Sequence, residues 1–232
     1  MTNARKPYPM PFTRMELCIL SVMDGGLSVL LGRREEEPSR GKWAMPGGVL
    51  RIDLDQTLDE AAQRVSQERI GVRLPYLKQQ CAVGGSGRDP RAPWSLSVVY
   101  RALIPAGDFS PKAGKRLTNL KWVPAETACA DTTLAFDHHA LIAVAMNHRR
   151  EELEAMQLPF EYLPEQFTLG ELQKACEDML GYKLDKSSFR RKLDDRQVVT
   201  AIEGAFRRGA NRPAQLFARA LPHNPRRVAS GK

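Results

Sequence analysis

The chain opens on two apolar, partly β-branched runs, Met15–Met23 and Leu27–Leu31, separated by Asp24-Gly25-Gly26. Apolar runs around an Asp-Gly pair predict a β-hairpin. A charged loop, Arg33–Lys42, leads to a short strand, Trp43–Leu50, broken by Pro46-Gly47-Gly48. Thr57, three residues before Glu60, forms a capping box ahead of an alanine-rich stretch, so a helix runs from there to about Arg69, with Gly71 as its stop. Strands are predicted around Tyr76–Val83, Ser95–Ile104 and Leu120–Val123, and a long helix from near Ala135 to about Leu153. This alternation lacks strict βαβ regularity and predicts a mixed α/β sheet between helices.

The pattern changes beyond residues 156–165, which hold two prolines and no helical period and are read as a linker. Thr168 and Glu171 form a second capping box. Leu169, Leu172, Cys176, Met179 and Leu180 share one helical face, and Gly181 ends that helix. A short helix, Ser187–Leu193, turns Phe189 and Leu193 inward, and strands at Val198–Ile202 and Gln215–Ala218 flank a basic, glycine-rich loop. Two domains are expected, residues 1–155 and 156–232. A capped helix, a turn, a second helix and a basic hairpin describe a winged helix-turn-helix.

The 232 residues are 42% apolar and 27% charged, an ordinary globular mixture. No apolar run is long enough to span a membrane, and the N-terminus lacks the apolar stretch of a secretory signal, so a cytoplasmic protein is expected. Cys18, Cys81, Cys129 and Cys176 form no CxxC pair and read as free thiols rather than zinc ligands. The net charge is +8, but residues 181–232 alone carry thirteen Lys/Arg against four Asp/Glu. That asymmetry points to a polyanionic partner or to a solvated tail. Lys186, Ser188, Arg190, Arg191 and Lys192 on the second helix, with Arg207, Arg208 and Arg212 on the hairpin, are the candidate contacts to double-stranded DNA. A winged helix used for protein contacts is the alternative, and the lack of aromatic residues among these cations argues against RNA.

Residues 45–72, MPGGVLRIDLDQTLDEAAQRVSQERIGV, resemble the Nudix box, a loop–helix–loop whose glutamates hold divalent metal against a diphosphate. Read back from Gly71-Val72, the catalytic stretch is Arg64-Val65-Ser66-Gln67-Glu68-Arg69. Arg64 and Glu68 match, Val65 and Arg69 replace glutamates, and the upstream acid position falls on Gln56. One carboxylate beside an introduced cation cannot concentrate Mg²⁺ as three do. No metal site and no catalytic residue are therefore expected. Arg34, Trp43, Gly47, Gly48, Arg51, Arg64, Glu68, Arg88, Phe136 and Asp137 are the candidate ligand-binding residues, and Arg91 and Trp94 lie in the same regions. They offer guanidinium groups for phosphates and aromatic faces for a base, although Trp43 and Phe136 equally suit a core. Within Phe136-Asp137-His138-His139, a helix cap and one packed histidine are expected rather than a metal site.

The two halves together, with FDHH at 136–139 and SFRRKL at 188–193, resemble the Nudix-related transcriptional regulators of the NrtR family. The resemblance implies a Nudix-type α/β/α sandwich followed by a winged helix-turn-helix. It also implies a homodimeric repressor that needs no cofactor, takes ADP-ribose or a related nucleotide as effector, and controls NAD metabolism. The chain departs from the family's common GRPA wing by reading Asn211-Arg212-Pro213-Ala214. An active Nudix hydrolase with an accessory basic domain is the rival expectation.

Overall fold

The structure, a computed structural model, describes residues 10–105, 107, 109–208 and 213–220. The chain divides into two compact units, Met1–Arg150 and Glu151–Lys232.

In the first unit, β1 (Phe12–Met23) and β2 (Gly26–Arg34) form the antiparallel hairpin, with Asp24 and Gly25 both at positive φ in its turn. The remaining elements are β3 (Trp43–Ala44), β4 (Gly47–Val49), α1 (Leu58–Ile70), β5 (Lys78–Ser86), β6 (Trp94–Leu103), β7 (Leu117–Pro124), α2 (Ala125–Ala130) and α3 (His138–Glu154). The sheet runs β3-β2-β1-β6-β5, with β4 also paired to β1 and β7 to β2. Only the β1–β6 pairing is parallel, so the sheet is mixed. Met15, Leu17 and Ile19 point from one face of β1 into a core with Ala61, Ala62, Val65 and Ile70 of α1. The alternate residues Arg14 and Glu16 point to the other face, where α3 begins.

Both ends of α1 follow from its capping chemistry. Thr57 accepts a hydrogen bond from the Glu60 amide, and Gly71 closes the helix in the left-handed conformation. The Glu60 carboxylate accepts from the amide of Gln56 rather than that of Thr57, so the reciprocal half of the box is displaced by one residue. The second long helix differs from expectation at its start. Residues 135–137 are not helical, Phe136 stands at φ 58, and α3 begins only at His138.

In the second unit, β8 (Phe167–Thr168) precedes α4 (Leu169–Leu180), α5 (Lys186–Arg196), β9 (Val199–Arg207) and β10 (Ala214–Arg219). Thr168 and Glu171 form the complete capping box of α4, and Gly181 ends it at φ 77. Leu172, Ala175, Cys176, Met179 and Leu180 are buried, joined by Phe189 and Leu193 of α5, and Leu169 is half-buried. The sheet order is β8-β10-β9, all antiparallel. Among the described residues no helix is long and apolar enough to cross a membrane.

Candidate nucleotide site and nucleic-acid interface

The Nudix-like box is built around its helix. Arg64 grips the Asp55 carboxylate through Nε and an Nη, both at 2.7 Å, and donates to the Val49 carbonyl at 2.9 Å. It therefore clasps the loop that precedes α1. The acid engaged with that arginine is Asp55, one residue before the Gln56 read from spacing. Val65 is wholly buried, and a Cβ at Gly48 would press on it. Arg69 donates from Nε to the Gly47 carbonyl at 2.7 Å and from Nη1 to the Lys115 carbonyl at 3.1 Å. Burial holds its pKa below the ordinary arginine value, with Glu68 opposing that effect.

A divalent cation is what the Nudix fold implies here, and these residues do not fit one. Glu68 lies 3.5 Å from Arg64, 3.7 Å from Arg69 and 3.8 Å from Lys115, one carboxylate among three cations. Among the described residues no cluster of three His, Cys, Asp or Glu side chains could hold a metal.

On the opposite face of the sheet, the Phe136 ring is met by three guanidinium groups, Arg34 at 5.0 Å, Arg14 at 5.5 Å and Arg91 at 5.9 Å from its centroid. Arg14 pairs with Glu16 at 2.6 Å, and Arg91 pairs with Asp89 at 2.5 Å. Arg34 donates to the carbonyls of Pro38 and Glu36, and among the described residues it has no carboxylate within ion-pair reach. Its pKa falls to about 10 through burial first and then through repulsion from Arg14 and Arg91. For Arg14, burial alone would lower the pKa, but Glu16 and Asp89 more than offset it and the net shift is upward. Three cations against two carboxylates leave an excess positive charge beside an aromatic face, a setting that suits a phosphate linked to a ring.

His138 closes the floor of this site. Its Nδ1 accepts from the Met45 amide at 2.9 Å, which leaves the proton of the neutral ring on Nε2, 3.7 Å from Glu16. Burial lowers its pKa, so the ring stays neutral near pH 7. It is the one packed histidine expected from the FDHH run. Asp137 stands at the N-terminal cap of α3, where its backbone carbonyl accepts from the amides of Ala140 and Leu141, with its carboxylate turned to Arg88. It binds Arg88 through both oxygens, at 2.7 and 3.0 Å, so these two candidates neutralise one another at the site's edge. Trp43 lies under Lys121, whose ammonium stands 4.3 Å from the ring centroid. Gly47 borders the site because its α-carbon approaches Glu16 so closely that a Cβ would collide with the carboxylate.

The fold thus brings Arg34 to the Phe136 ring and Arg88 to the neighbouring Asp137, and it sets Gly47 against Glu16 and Trp43 against Lys121. Arg51 is exposed on the box loop and paired with Asp53. Arg64, Glu68 and Gly48 belong to the box. Sequence reasoning missed Arg14, Glu16, Asp89 and Lys121. The available signal was the polar pair Arg14 and Glu16 at alternate positions of an otherwise apolar strand.

In the second unit, Asp185 caps α5, accepting from the Ser188 amide at 2.8 Å. With Phe189 and Leu193 buried, Lys186, Arg190, Arg191 and Lys192 are exposed, and Ser188 is half-buried at the helix start. Arg207 and Arg208 are both exposed. Arg207 pairs with Glu171 of the α4 capping box and donates to the Gln166 carbonyl at 3.1 Å. Arg212 lies outside the described residues.

Comparison with known proteins assigns both halves. Residues 13–144 match the NUDIX domain family, and residues 159–218 match the NrtR DNA-binding winged helix domain. The chain is 36% identical over 217 residues to the ADPR responsive transcriptional repressor NtrR of Acinetobacter baylyi, covering 94% of this chain and 85% of that one. The chain belongs to the NrtR family. Its fold matches the crystal structure of Shewanella oneidensis NrtR complexed with a 27mer DNA at a TM-score of 0.72 and 31% identity, covering 90% of this chain and 93% of that one. It also matches the NUDIX domain of that NrtR complexed with ADP ribose, at a TM-score of 0.57 and 30% identity over 63% of this chain and 94% of that one. This NrtR-family chain therefore pairs a Nudix domain whose box sets one carboxylate, Glu68, among three cations with a winged helix whose second helix exposes five cations.

Proposed function

We propose that this chain is a transcriptional repressor that binds operator DNA through its C-terminal winged helix and responds to ADP-ribose or a close relative bound by its Nudix domain. The carrying observation is Arg34, a half-buried guanidinium beside the Phe136 ring that has no carboxylate partner among the described residues. A diphosphate supplies the missing negative charge, and the aromatic face suits a base or ribose. The positions where the Nudix pattern places metal-binding glutamates hold Val65 and Arg69, so the ligand is retained rather than cleaved. The relatives agree with this reading, since one is named for its response to ADPR and others were crystallised with DNA and with ADP ribose.

In this reading residues 1–155 sense the ligand and residues 156–232 hold DNA, and no further cofactor is needed. The protein acts as a homodimer on a palindromic site in the cytoplasm, with genes of NAD metabolism as its targets. Repression is relieved if the ligand prefers the DNA-incompetent state. A preference of about 1–3 kcal/mol weakens DNA binding roughly 5- to 150-fold.

Reciprocity provides the test. Calorimetry of ADP-ribose binding is run with and without a duplex selected by the protein from a random-sequence library. The duplex should weaken ligand affinity by the same factor by which the ligand weakens DNA affinity. Equal ligand affinity in both titrations rules out a sensor role for ADP-ribose.

A further inference from the structure

The wing hairpin contains a large irregularity. Register between β9 and β10 pairs Phe206 with Gln215 and Ala201 with Phe217, so the four residues 202–205 stand opposite the single Leu216. Leu216 is meanwhile fixed on its other edge by Thr168 of β8. The Gln215 side-chain amide closes the bulge, donating to the Ile202 carbonyl at 2.6 Å and the Ala205 carbonyl at 3.0 Å. Gly204 supplies the sharp change of direction at φ 69. Such bulges bend a strand and re-aim the side chains beyond them.

The side chains beyond this one are Phe206, Arg207 and Arg208. Arg207 is drawn back onto the domain by Glu171 and the Gln166 carbonyl. Side chains alternate along a strand, so Phe206 lies on the face opposite Arg207, and Arg208 follows the last residue of β9 with its side chain exposed. Phe206 is 53% exposed, so the wing does carry an aromatic ring among its cations, contrary to the expectation from sequence, with Arg208 two residues away. An exposed phenyl on an ordinary soluble surface costs solvation. On a basic wing it matches the apolar wedges that enter base steps from the minor groove while neighbouring cations hold the phosphates.

We propose that Phe206 is a DNA-contacting residue that inserts against a base step in the minor groove, with Arg208 on an adjacent phosphate. The proposal rests on the DNA-binding reading above. The partner is duplex DNA because the exposed ring is followed within two residues by the exposed Arg208 and lies on the unit that carries the chain's excess positive charge.

The experiment uses the full chain and a duplex recovered by the unaltered protein from a random-sequence library, labelled at both ends for energy transfer. Phe206→Ala should weaken binding roughly tenfold, the scale of one lost base-pair contact, and should reduce the protein-induced bend. Phe206→Leu keeps an apolar wedge and should retain most of both. Netropsin, which occupies the minor groove, should compete with the unaltered protein and lose that advantage against Phe206→Ala. Arg191→Ala should reduce discrimination between sequences while leaving the bend in place. A thermal melt confirms that each variant is folded. If the unaltered protein selects no sequence, the DNA reading fails and this proposal with it. If it selects one and Phe206→Ala binds and bends it equally well, the proposal alone is overturned. A change in oligomeric state without a change in DNA affinity would overturn it in favour of a protein contact.

Discussion

The Nε of Arg69 donates to the carbonyl oxygen of Gly47 across 2.7 Å, so a cation ties the glycine pair to the helix where the Nudix pattern places a metal-binding glutamate. The loop is held without metal. Incubation of the protein with ADP-ribose and Mg²⁺ or Mn²⁺, followed by chromatography, should show turnover far below the common enzyme value of ~10 s⁻¹. Turnover near that value, lost in Glu68→Gln, would overturn the sensor reading in favour of a hydrolase.

The same contact has a cost when broken. Arg69→Ala takes the guanidinium donor from the carbonyls of Gly47 and Lys115, both held in part-buried contacts. Urea unfolding of the variant should show a loss of about 1–3 kcal/mol. An unchanged midpoint would mean that water replaces the guanidinium without penalty.

Arg34 and Arg51 separate the cleft from the box loop. Arg34→Ala should reduce ADP-ribose affinity about 10- to 100-fold, the scale of one charge-assisted hydrogen bond. Arg51→Ala, whose side chain is exposed and paired with Asp53, should bind within about twofold of the unaltered protein. Calorimetry of both variants decides the matter, and an equal loss in each would place the phosphates along the box loop instead.

Glu177 gives the second unit an acid-sensitive element. Its carboxylate accepts from Lys183, Gln173 and the Leu184 amide, and these hold its pKa down to about 2 from an ordinary 4.5. A carboxyl depressed on folding stabilises above its unfolded pKa, and that contribution fades as pH falls through 4.5 toward 2. Melting curves across that window should fall more steeply for the unaltered protein than for Glu177→Gln. Parallel curves would show that Glu177 is not responsible.

The elements with their own punctuation were legible from the sequence. The hairpin carried Asp24-Gly25, α1 carried Thr57 and Gly71, and α4 carried Thr168 and Gly181, each supplying a local reason to turn, start or stop. The delayed start of α3 was not, because Phe136 adopts φ 58 against its own preference, held by guanidinium groups from distant strands. Nor was β8, a two-residue strand that exists only through its pairing with β10. The cleft shows the same divide. Arg34, Arg88 and Phe136 were found as residue types near the box, but the meeting of Arg14 from β1 and Arg91 from the β5–β6 loop at one ring is a long-range fact of the fold. Spacing alone also chose Gln56 over Asp55, since only the folded loop shows which side chain reaches Arg64.

Glu171 serves two clients at once. One oxygen closes the capping box by accepting from the Thr168 amide, and the other receives Arg207 from the wing. A pull on the wing is therefore felt at the first turn of α4. When DNA shifts the hairpin, deuterium uptake at the amides of Thr168 and Glu171 should change in step with uptake along β9, joining two segments 36 residues apart into one opening unit.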